Sequence, residues 1–369
     1  MHDHRANTHF DGIQALRFVA AFLVLLDHST HFVAERLVPD YPVWDNGAAG
    51  VDIFFVISGF VMVMSSRGLI GTPNAGSIFF IRRIARIVPI YWMATTFKLL
   101  VILIVPAIVV RAGLDLSHVF SSYLFLPARS PDGRIAPLLG VGWTLNFEMF
   151  FYSVFAIALA ARISPYRLVG ALFLGLAVLA LFRNPDWPAV AFWADAIVLE
   201  FVAGMLLAKA YQAGVKLTTG PSIALLVVGF FWLFQYPSGD ALSSSLSAPT
   251  WGRVLAWGIP AVAIVTAVVY LEPLLRGRIP GSLLLLGEAS YALYLFHTLL
   301  SPVAPQVLAR YGLPIPILSV TLSILIALIS AVIIYRWVER PASLWLRNRL
   351  EVKYRRAVPQ ATGESAIKS

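Results

Sequence analysis

The sequence predicts an all-α, polytopic membrane protein with about ten transmembrane helices, and three observations lead to this fold class. Of the 369 residues, 59% are hydrophobic and only 13% are charged, which is too few charges to cover a soluble domain of this length. The apolar residues form long runs, each near the ~20 residues that a helix needs to cross a bilayer core. Ten Trp and 13 Tyr residues supply the amphipathic rings that are typical of membrane interfaces.

Hydropathy, together with glycine and proline positions, predicts ten spans. They cover residues 12–34, 50–66, 84–110, 140–161, 168–183, 191–212, 221–237, 252–271, 282–302 and 314–338. The first apolar run is interrupted by Arg17 and by Asp27–His28, and no small-residue cleavage site follows it. We therefore expect this run to remain as the first span and not to act as a signal peptide.

The distribution of basic residues predicts that both chain termini are cytoplasmic. Seven of the 28 Lys and Arg residues fall in the outer segments and Lys98 lies within the third span, which leaves 20 for the inner segments. Cytoplasmic loops of membrane proteins carry this excess of positive charge. The same bias accounts for the net charge of +9 without a nucleic-acid partner.

We expect a short cytoplasmic N-terminus (1–11), one membrane domain (12–342) and a basic cytoplasmic tail (343–369). Residues 112–139 form the longest outer loop and are predicted to fold over the outer mouth of the domain, and 238–250 form a second outer loop of small polar residues. The chain has no cysteine, which excludes disulfides, thiolate metal sites and a cysteine nucleophile. No metal site is predicted.

Ionisable side chains inside spans are energetically expensive and are therefore functional candidates. Arg17 and His28 are eleven residues apart in the first span, about three helical turns, so they share one face with a rise of ~16 Å. His31 follows one turn later, whereas Asp27 lies about 100° away from His28 around the helix. The structural alternative is a helix-packing histidine and an arginine that snorkels to the interface.

The second span opens with small residues and an acid. Gly47 and Gly50 permit close helix approach, and Asp52 lies near the outer end of an otherwise apolar segment. A carboxylate there is placed to orient an imidazole and fix its tautomer. The alternative is that Asp52 only caps the helix at the interface.

The inner loop before the third span contains FIRRIARIVPIYW, in which Arg83 and Arg86 lie three residues apart and face together on a helical turn. Clustered guanidinium groups suit phosphates because they form bidentate hydrogen bonds. The alternative for Arg83 and Arg86 is ordinary binding of anionic lipid at the inner surface.

Two further spans carry polar side chains at helical spacing. Glu148 and Tyr152 are four residues apart in the fourth span, and a buried carboxylate needs a partner. In the ninth span, Ser290, Tyr294 and His297 form a polar stripe. Counting along the spans predicts that Glu148 and His297 lie at the depth of His28 in the outer half, with Asp52 nearby.

This division across the membrane indicates a group transfer. Three arginines at the inner face (Arg17, Arg83 and Arg86) are placed to hold a phosphate-rich donor, and a long thin donor such as acyl-coenzyme A would reach inward through an apolar passage. At the far end, His28 is placed to act as a general base for a sugar hydroxyl or as a nucleophile that carries the acyl group. Glu148 or His297 would orient His28 or stabilise the developing charge.

The order of these segments resembles the acyltransferase-3 family of membrane O-acyltransferases, over nearly the whole chain (residues 10–342). The matching pieces are Arg17 and His28 in the R-x10-H pattern, GVDIFFVISGF at 50–60, RRIARIVPIYW at 82–92, WTLNFEMFFY at 143–152, SYALYLFH at 290–297 and VERPA at 338–342. The opening IQALRFVAAFLVLLDHS is most similar to the branch that acetylates bacterial exopolysaccharides.

The resemblance implies acyl-coenzyme A, usually acetyl-coenzyme A, as co-substrate, with no permanently bound cofactor. It implies an extracytoplasmic glycan or lipid-linked saccharide as acceptor and a multi-pass protein of the bacterial inner membrane. It implies an essential histidine at His28, donor-binding arginines at Arg17, Arg83 and Arg86, and an acidic site residue at Glu148.

Two other classes remain as alternatives. A transporter of a sugar or ion also uses acids, histidines and arginines within the membrane, but inverted repeats and paired broken helices are not evident. A purely structural membrane scaffold explains the hydrophobicity but not the polar residues at matched depth. The sequence leaves open whether transfer is direct or passes through an acyl-histidine, and it leaves the oligomeric state open.

Overall fold

The computed structural model describes residues 10–106, 109, 113–184, 186–235 and 251–355. Within these ranges the chain is helical, and its β contact is one isolated bridge between Arg129 and Ile135. The predicted all-α class is therefore confirmed. The predicted polar loop at 238–250 lies outside the described residues.

The α-helices of eight or more residues are, in chain order, α1 (Asp11–Arg36), α2 (Gly50–Ser66), α3 (Ala75–Ile104), α4 (Leu116–Tyr123), α5 (Trp143–Ala160), α6 (Pro165–Leu179), α7 (Val198–Gln212), α8 (Thr219–Gln235), α9 (Ile259–Leu275), α10 (Gly281–Glu288), α11 (Ser290–Leu300), α12 (Val303–Arg310), α13 (Pro316–Ile334) and α14 (Arg340–Arg355). A π-helical segment, Val254–Gly258, leads into α9. Proline occupies the first turn of α6 and of α13, where its missing N–H costs no helical hydrogen bond.

Nine helical segments of the described chain are long and apolar enough to cross a membrane. They coincide with nine of the ten predicted spans. The tenth, predicted at 221–237, corresponds to α8, an apolar helix of 17 described residues. Large apolar side chains face outward from the helices, as Phe231 (65% exposed) does on α8 and Ile329 (60%) on α13. These surfaces suit a hydrocarbon environment, and the cytoplasmic position of the termini stays a prediction.

The segment before α2 packs tightly against α1 because its glycines have no side chain. A Cβ on Gly50 would lie 2.1 Å from the carbonyl oxygen of Ala20, and one on Gly47 would lie 2.2 Å from that of Leu23. Distances below 3.0 Å are not found for real Cβ atoms. The close helix approach that the sequence predicted at Gly47 and Gly50 is confirmed.

The contact between α2 and α7 also depends on glycines, with one on each helix. A Cβ on Gly59 would lie 2.1 Å from the carbonyl oxygen of Phe201, and one on Gly204 would lie 2.0 Å from that of Val56. Small residues at a helix interface let two backbones approach closely in a membrane, where packing replaces the hydrophobic drive. α2 also contacts α1, so the helices that carry His28 and Asp52 lie side by side.

α13 continues through a π-helical segment, Tyr335–Glu339, into α14. The wide π turn leaves Trp337 78% exposed while Glu339 is buried at 5%. The predicted start of the tail at residue 343 falls inside α14, so the helix passes through this boundary. The division into a membrane domain and a tail stays a prediction.

Candidate active site

Arg17 and His28 on α1 lie in two different cavities. Arg17 lines a small cavity of about 100 Å³, here called the arginine cavity. His28 lines a larger one of about 790 Å³, here called the histidine cavity. Since both residues share one helix, α1 passes along both cavities and fixes the separation of the two functional groups.

The arginine cavity is built by α1, α2, α3, α5 and α11. Its polar lining residues are Arg17, Ser58, Arg86, Thr144, Glu148, Tyr152, Ser290, Tyr291 and Tyr294. The phenol of Tyr291 donates to the carbonyl of Ile87 at 2.9 Å, which ties α11 to α3. The hydroxyl of Ser290 is buried and has no hydrogen-bond partner among the described residues. It is therefore a donor available to a bound molecule.

Glu148 and Tyr152 meet across one helical turn, as their spacing predicted. The Tyr152 hydroxyl donates to Glu148, and the Ser58 hydroxyl on α2 lies 3.1 Å from the same carboxylate oxygen and 3.2 Å from the Tyr152 hydroxyl. These bonds hold the carboxylate in the cavity wall and offset part of the cost of burying it.

A second carboxylate, Glu339, acts on the arginine cavity. The charges of Arg86, Glu339 and Glu148 all act on Arg17. Glu339 comes from the π-helical segment after α13, and one of its carboxylate oxygens is buried without a hydrogen-bond partner in the described chain. Glu339 was not among the predicted site residues, although it lies in the VERPA motif at 338–342 that contributed to the family resemblance.

Arg83 and Arg86 differ in their surroundings although both were predicted to bind the donor. Arg86 lines the arginine cavity. The guanidinium of Arg83 instead lies 5.6 Å from the ring centroid of Phe79, and its buried Nε has no hydrogen-bond partner in the described ranges. The structure therefore places Arg86 directly at the cavity and Arg83 one turn away along α3.

The histidine cavity lies between α1, α3 and the segment before α5. Residues 130–132, 134 and 136–141 contribute to its wall, together with His118 of α4. The His118 ring bonds to the carbonyl of Ala136 at 2.7 Å, and the side chain of Asp115 caps α4 by accepting from the His118 backbone N–H. The described part of the predicted outer loop, residues 113–139, thus covers one side of the cavity that contains His28.

His28 presents one ring nitrogen to this cavity. Its Nδ1 lies 3.0 Å from the carbonyl oxygen of Val24. Because a carbonyl oxygen only accepts, Nδ1 carries the proton, and Nε2 is left with a lone pair. Asp27 is a more distant neighbour, with an oxygen 3.8 Å from His28 Nδ1, and its own bond runs to His31 at 3.2 Å.

His297 lies against His28, with ring centroids 4.9 Å apart at an angle of 72°. Its Nδ1 is bonded to the carbonyl of Leu293 at 3.0 Å, and its Nε2 is buried without a hydrogen-bond partner among the described residues. In both histidines, Nδ1 is therefore bonded to the backbone carbonyl four residues earlier in the same helix. The structure brings together the two histidines that the sequence predicted at one depth.

Val51 and Tyr294 line both cavities and so stand between them. The Tyr294 hydroxyl donates to the carbonyl of Val141 at 3.0 Å and lies 3.0 Å from the Thr144 hydroxyl. The predicted polar stripe on α11 is thereby divided. Ser290 faces the arginine cavity, Tyr294 faces both cavities, and its ring lies 6.1 Å from that of His297.

Glu148 and His28 line different cavities, and the predicted equal depth of the two residues stays a prediction. Glu148 lines the arginine cavity with Arg17, whereas His28 lines the histidine cavity.

Asp52 binds an arginine and not an imidazole. Both of its carboxylate oxygens accept from Arg253, at 3.1 and 2.6 Å, and both side chains are buried. Arg253 also donates to the carbonyl of Ala48 at 3.0 Å and lies over the Trp257 ring at 4.9 Å. Beside this pair the buried Glu200 carboxyl interacts with Asp52. The partner is 201 residues away in sequence, and no local pattern pairs two such positions.

Asp27, His31 and Asp45 form one group in the described chain that has the geometry to hold a metal ion, with ligand atoms within 4.8 Å of one another. His31 and Asp27 already satisfy each other by a hydrogen bond. The expectation of no metal stays a prediction.

An acyltransferase domain of known family matches residues 10–336 of this chain. The exopolysaccharide production protein ExoZ of Rhizobium meliloti (strain 1021) is 38% identical over 305 residues, which cover 80% of this chain and 89% of that protein. The acyltransferase MdmB of Streptomyces mycarofaciens is 25% identical over 317 residues, 78% of this chain and 77% of that protein. No solved structure matches the chain.

The family match covers most of the chain and extends from α1 into the π-helical segment that ends at Glu339. It therefore includes both cavities and the helices that build them. The helical fold, the membrane-spanning segments and the domain match agree with one another. The chain belongs to the acyltransferase-3 family and is a membrane O-acyltransferase.

Proposed function

We propose that this protein moves an acetyl group from cytoplasmic acetyl-coenzyme A onto a hydroxyl group of an extracytoplasmic or lipid-linked saccharide. The observation that carries this proposal is that the arginine cavity and the histidine cavity meet at Val51 and Tyr294. A donor with its phosphates at one end and its thioester at the other fits a path between basic groups and a histidine. The bacterial inner membrane is the proposed location.

Arg17 and Arg86 would hold the phosphates of the donor, because a guanidinium offers several donors in a planar fork that matches phosphate oxygens. Glu148 and Glu339 would keep these arginines oriented between turnovers. Arg83, one turn along α3, would add positive charge. The thioester would then extend past Tyr294 towards His28.

His28 would act as a general base through its free Nε2. It takes the proton from the acceptor hydroxyl while the hydroxyl oxygen forms a bond to the thioester carbonyl carbon. The carbon–sulfur bond then breaks, and the leaving thiolate takes the proton from the imidazolium, which restores His28. The Nδ1–H bond to Val24 fixes the tautomer that this step requires. His297 would position His28 by ring contact.

The name of the relative from Rhizobium meliloti, an exopolysaccharide production protein, favours a polysaccharide or its lipid-linked precursor as the acceptor. An acyl-histidine at Nε2 is an alternative step for the same residue. Acid quench of a single turnover without acceptor distinguishes the two routes, because only the acyl-histidine route leaves label on the protein.

The test is label transfer in inside-out membrane vesicles that are loaded with a glycan acceptor in the lumen and supplied with radiolabelled acetyl-coenzyme A on the outside. Native protein should place label in the saccharide fraction, and His28→Ala should lower that transfer at least a hundredfold, since general base catalysis contributes about 10²–10⁴-fold. His31→Ala, one turn away and exposed, is the matched control and should retain transfer. Near-native transfer by His28→Ala would remove His28 from the mechanism.

A further inference from the structure

Lys98 is a positively charged residue within a membrane-spanning helix. It lies six residues before the end of α3 at Ile104, and its side chain lines the histidine cavity. Its neighbours Phe97 and Leu100 are 42% and 48% exposed on the outside of the helix. A charge in a span that faces a cavity and not the lipid marks a functional position.

The carboxylates that line the histidine cavity are already paired with basic side chains. The pairs are Asp27–His31 at 3.2 Å, Glu35–Arg36 at 3.3 Å and Asp132–Arg134 at 2.7 Å. Arg253, another cation that lines the cavity, is bound to the buried Asp52 at 2.6 Å. Among the residues that the structure describes, the cavity therefore has no carboxylate that is left unpaired for Lys98.

The ammonium group of Lys98 has no hydrogen bond and no ion pair within 4 Å among the described residues. The charges that act on it most are those of Arg36 and then Glu35, at the end of α1. Lys98 on α3 and Arg36 on α1 thus present positive charge from two helices to the same cavity. An anion bound between them would be attracted by both and would relieve their mutual repulsion.

We propose that Lys98, together with Arg36, binds an anionic group of the saccharide acceptor. The acceptor class is then an acidic saccharide, or a saccharide linked to lipid through phosphate. This inference rests on the proposed function, because it assigns the histidine cavity to the acceptor. A neutral saccharide would leave the Lys98 ammonium without a counterion in a partly buried site.

The position of the site favours a substrate over a membrane phospholipid. The same cavity contains His28 with its free Nε2, so an anion at Lys98 would hold its attached sugar beside the general base. Residues from the described loop 113–139 form part of the same cavity wall. Trp92 and Thr96 of α3 bond to Tyr123, at 2.9 and 2.7 Å, and so fix this covering segment to the helix that carries Lys98.

The test measures KM for two acidic acceptors and their neutral counterparts, by label transfer with the purified protein in detergent, where added substrates reach both faces of the protein. One probe is a uronic-acid oligosaccharide, compared with its carboxyl-reduced form. The other is a neutral oligosaccharide on a polyprenyl diphosphate, compared with the free oligosaccharide. The variants are Lys98→Met, which keeps the length without charge, and Lys98→Arg, which keeps the charge. Arg310→Gln, an exposed position at the end of α12 outside the cavity, is the matched control.

We expect Lys98→Met to raise KM at least tenfold for one of the two acidic probes, with the KM for acetyl-coenzyme A within twofold of native. The probe that responds identifies the source of the anion, a carboxylate sugar or the lipid diphosphate. Lys98→Arg should stay within threefold of native. Unchanged KM values for both acidic probes, or an equal loss with acidic and neutral acceptors, would overturn the proposal.

Direct binding separates this proposal from the proposed function. Isothermal titration of the purified protein in detergent, with the same acidic probes and without donor, should show a dissociation constant at least tenfold weaker for Lys98→Met than for native protein. If native protein transfers no label but shows this difference, the proposed reaction fails and the anion site stands. Equal binding by both proteins, or no binding by either, would overturn the anion site.

Discussion

The buried Asp52–Arg253 pair allows a quantitative prediction about stability. Arg253→Met removes a guanidinium that makes two bonds to Asp52 and one to the Ala48 carbonyl, and it leaves Asp52 next to the buried carboxyl of Glu200. Removal of one partner of a buried ion pair costs about 3–5 kcal/mol because the other charge stays buried. Because the entropy of unfolding grows with chain length, a chain of 369 residues shifts by roughly 1.3 °C per kcal/mol, so we expect the melting temperature to fall by about 5 °C.

The assay is thermal unfolding in detergent, followed by tryptophan fluorescence. The double variant Asp52→Leu/Arg253→Met replaces both charges with apolar groups and should regain more than half of the loss, because an apolar pair avoids the desolvation cost. A melting temperature of Arg253→Met within 2 °C of native would refute the reasoning. Label transfer by the double variant tests the predicted catalytic role of Asp52, since a purely structural pair predicts recovery of activity together with stability.

Two further predictions concern helix packing and donor binding. Gly204→Ala should lower the melting temperature by several degrees because its Cβ would lie 2.0 Å from a backbone oxygen. Gly170→Ala in α6 has open space around it and should leave the melting temperature unchanged or raise it. Equal melting temperatures of the two variants would contradict the packing argument. Arg86→Ala should raise KM for acetyl-coenzyme A at least tenfold, because Arg86 lines the arginine cavity. Arg83→Ala should raise this KM by a smaller factor. The opposite order of the two variants would contradict the assignment of Arg86 to the donor.

The sequence predicted most of the fold because the signal for a membrane helix is local. A run of about 20 apolar residues is sufficient, and nine of the ten predicted spans coincide with helical segments that meet this criterion. The sequence also predicted that Arg17 and His28 share one face of α1, because this depends only on helical spacing. The pairing of Glu148 with Tyr152 follows from the same rule.

The features that the sequence did not predict depend on contacts between distant segments. Arg253 was not among the predicted site residues, but it is buried against Asp52 from α2. The charge of Glu339 acts on Arg17 from a π-helical segment, and hydropathy does not detect such a segment. The division of Glu148 and His28 between two cavities depends on how five helices pack, which no single span reveals.

The position of Val51 and Tyr294 between the two cavities has a consequence for the leakage of ions across the membrane. A membrane enzyme whose substrates approach from opposite faces requires an opening through the bilayer, and a permanently wet opening would let protons and ions flow down their gradients. Tyr294, anchored to Val141 and Thr144, lies between the two cavities. On the proposed path the thioester would pass this side chain, so Tyr294 would stand where the passage of water and ions has to be limited.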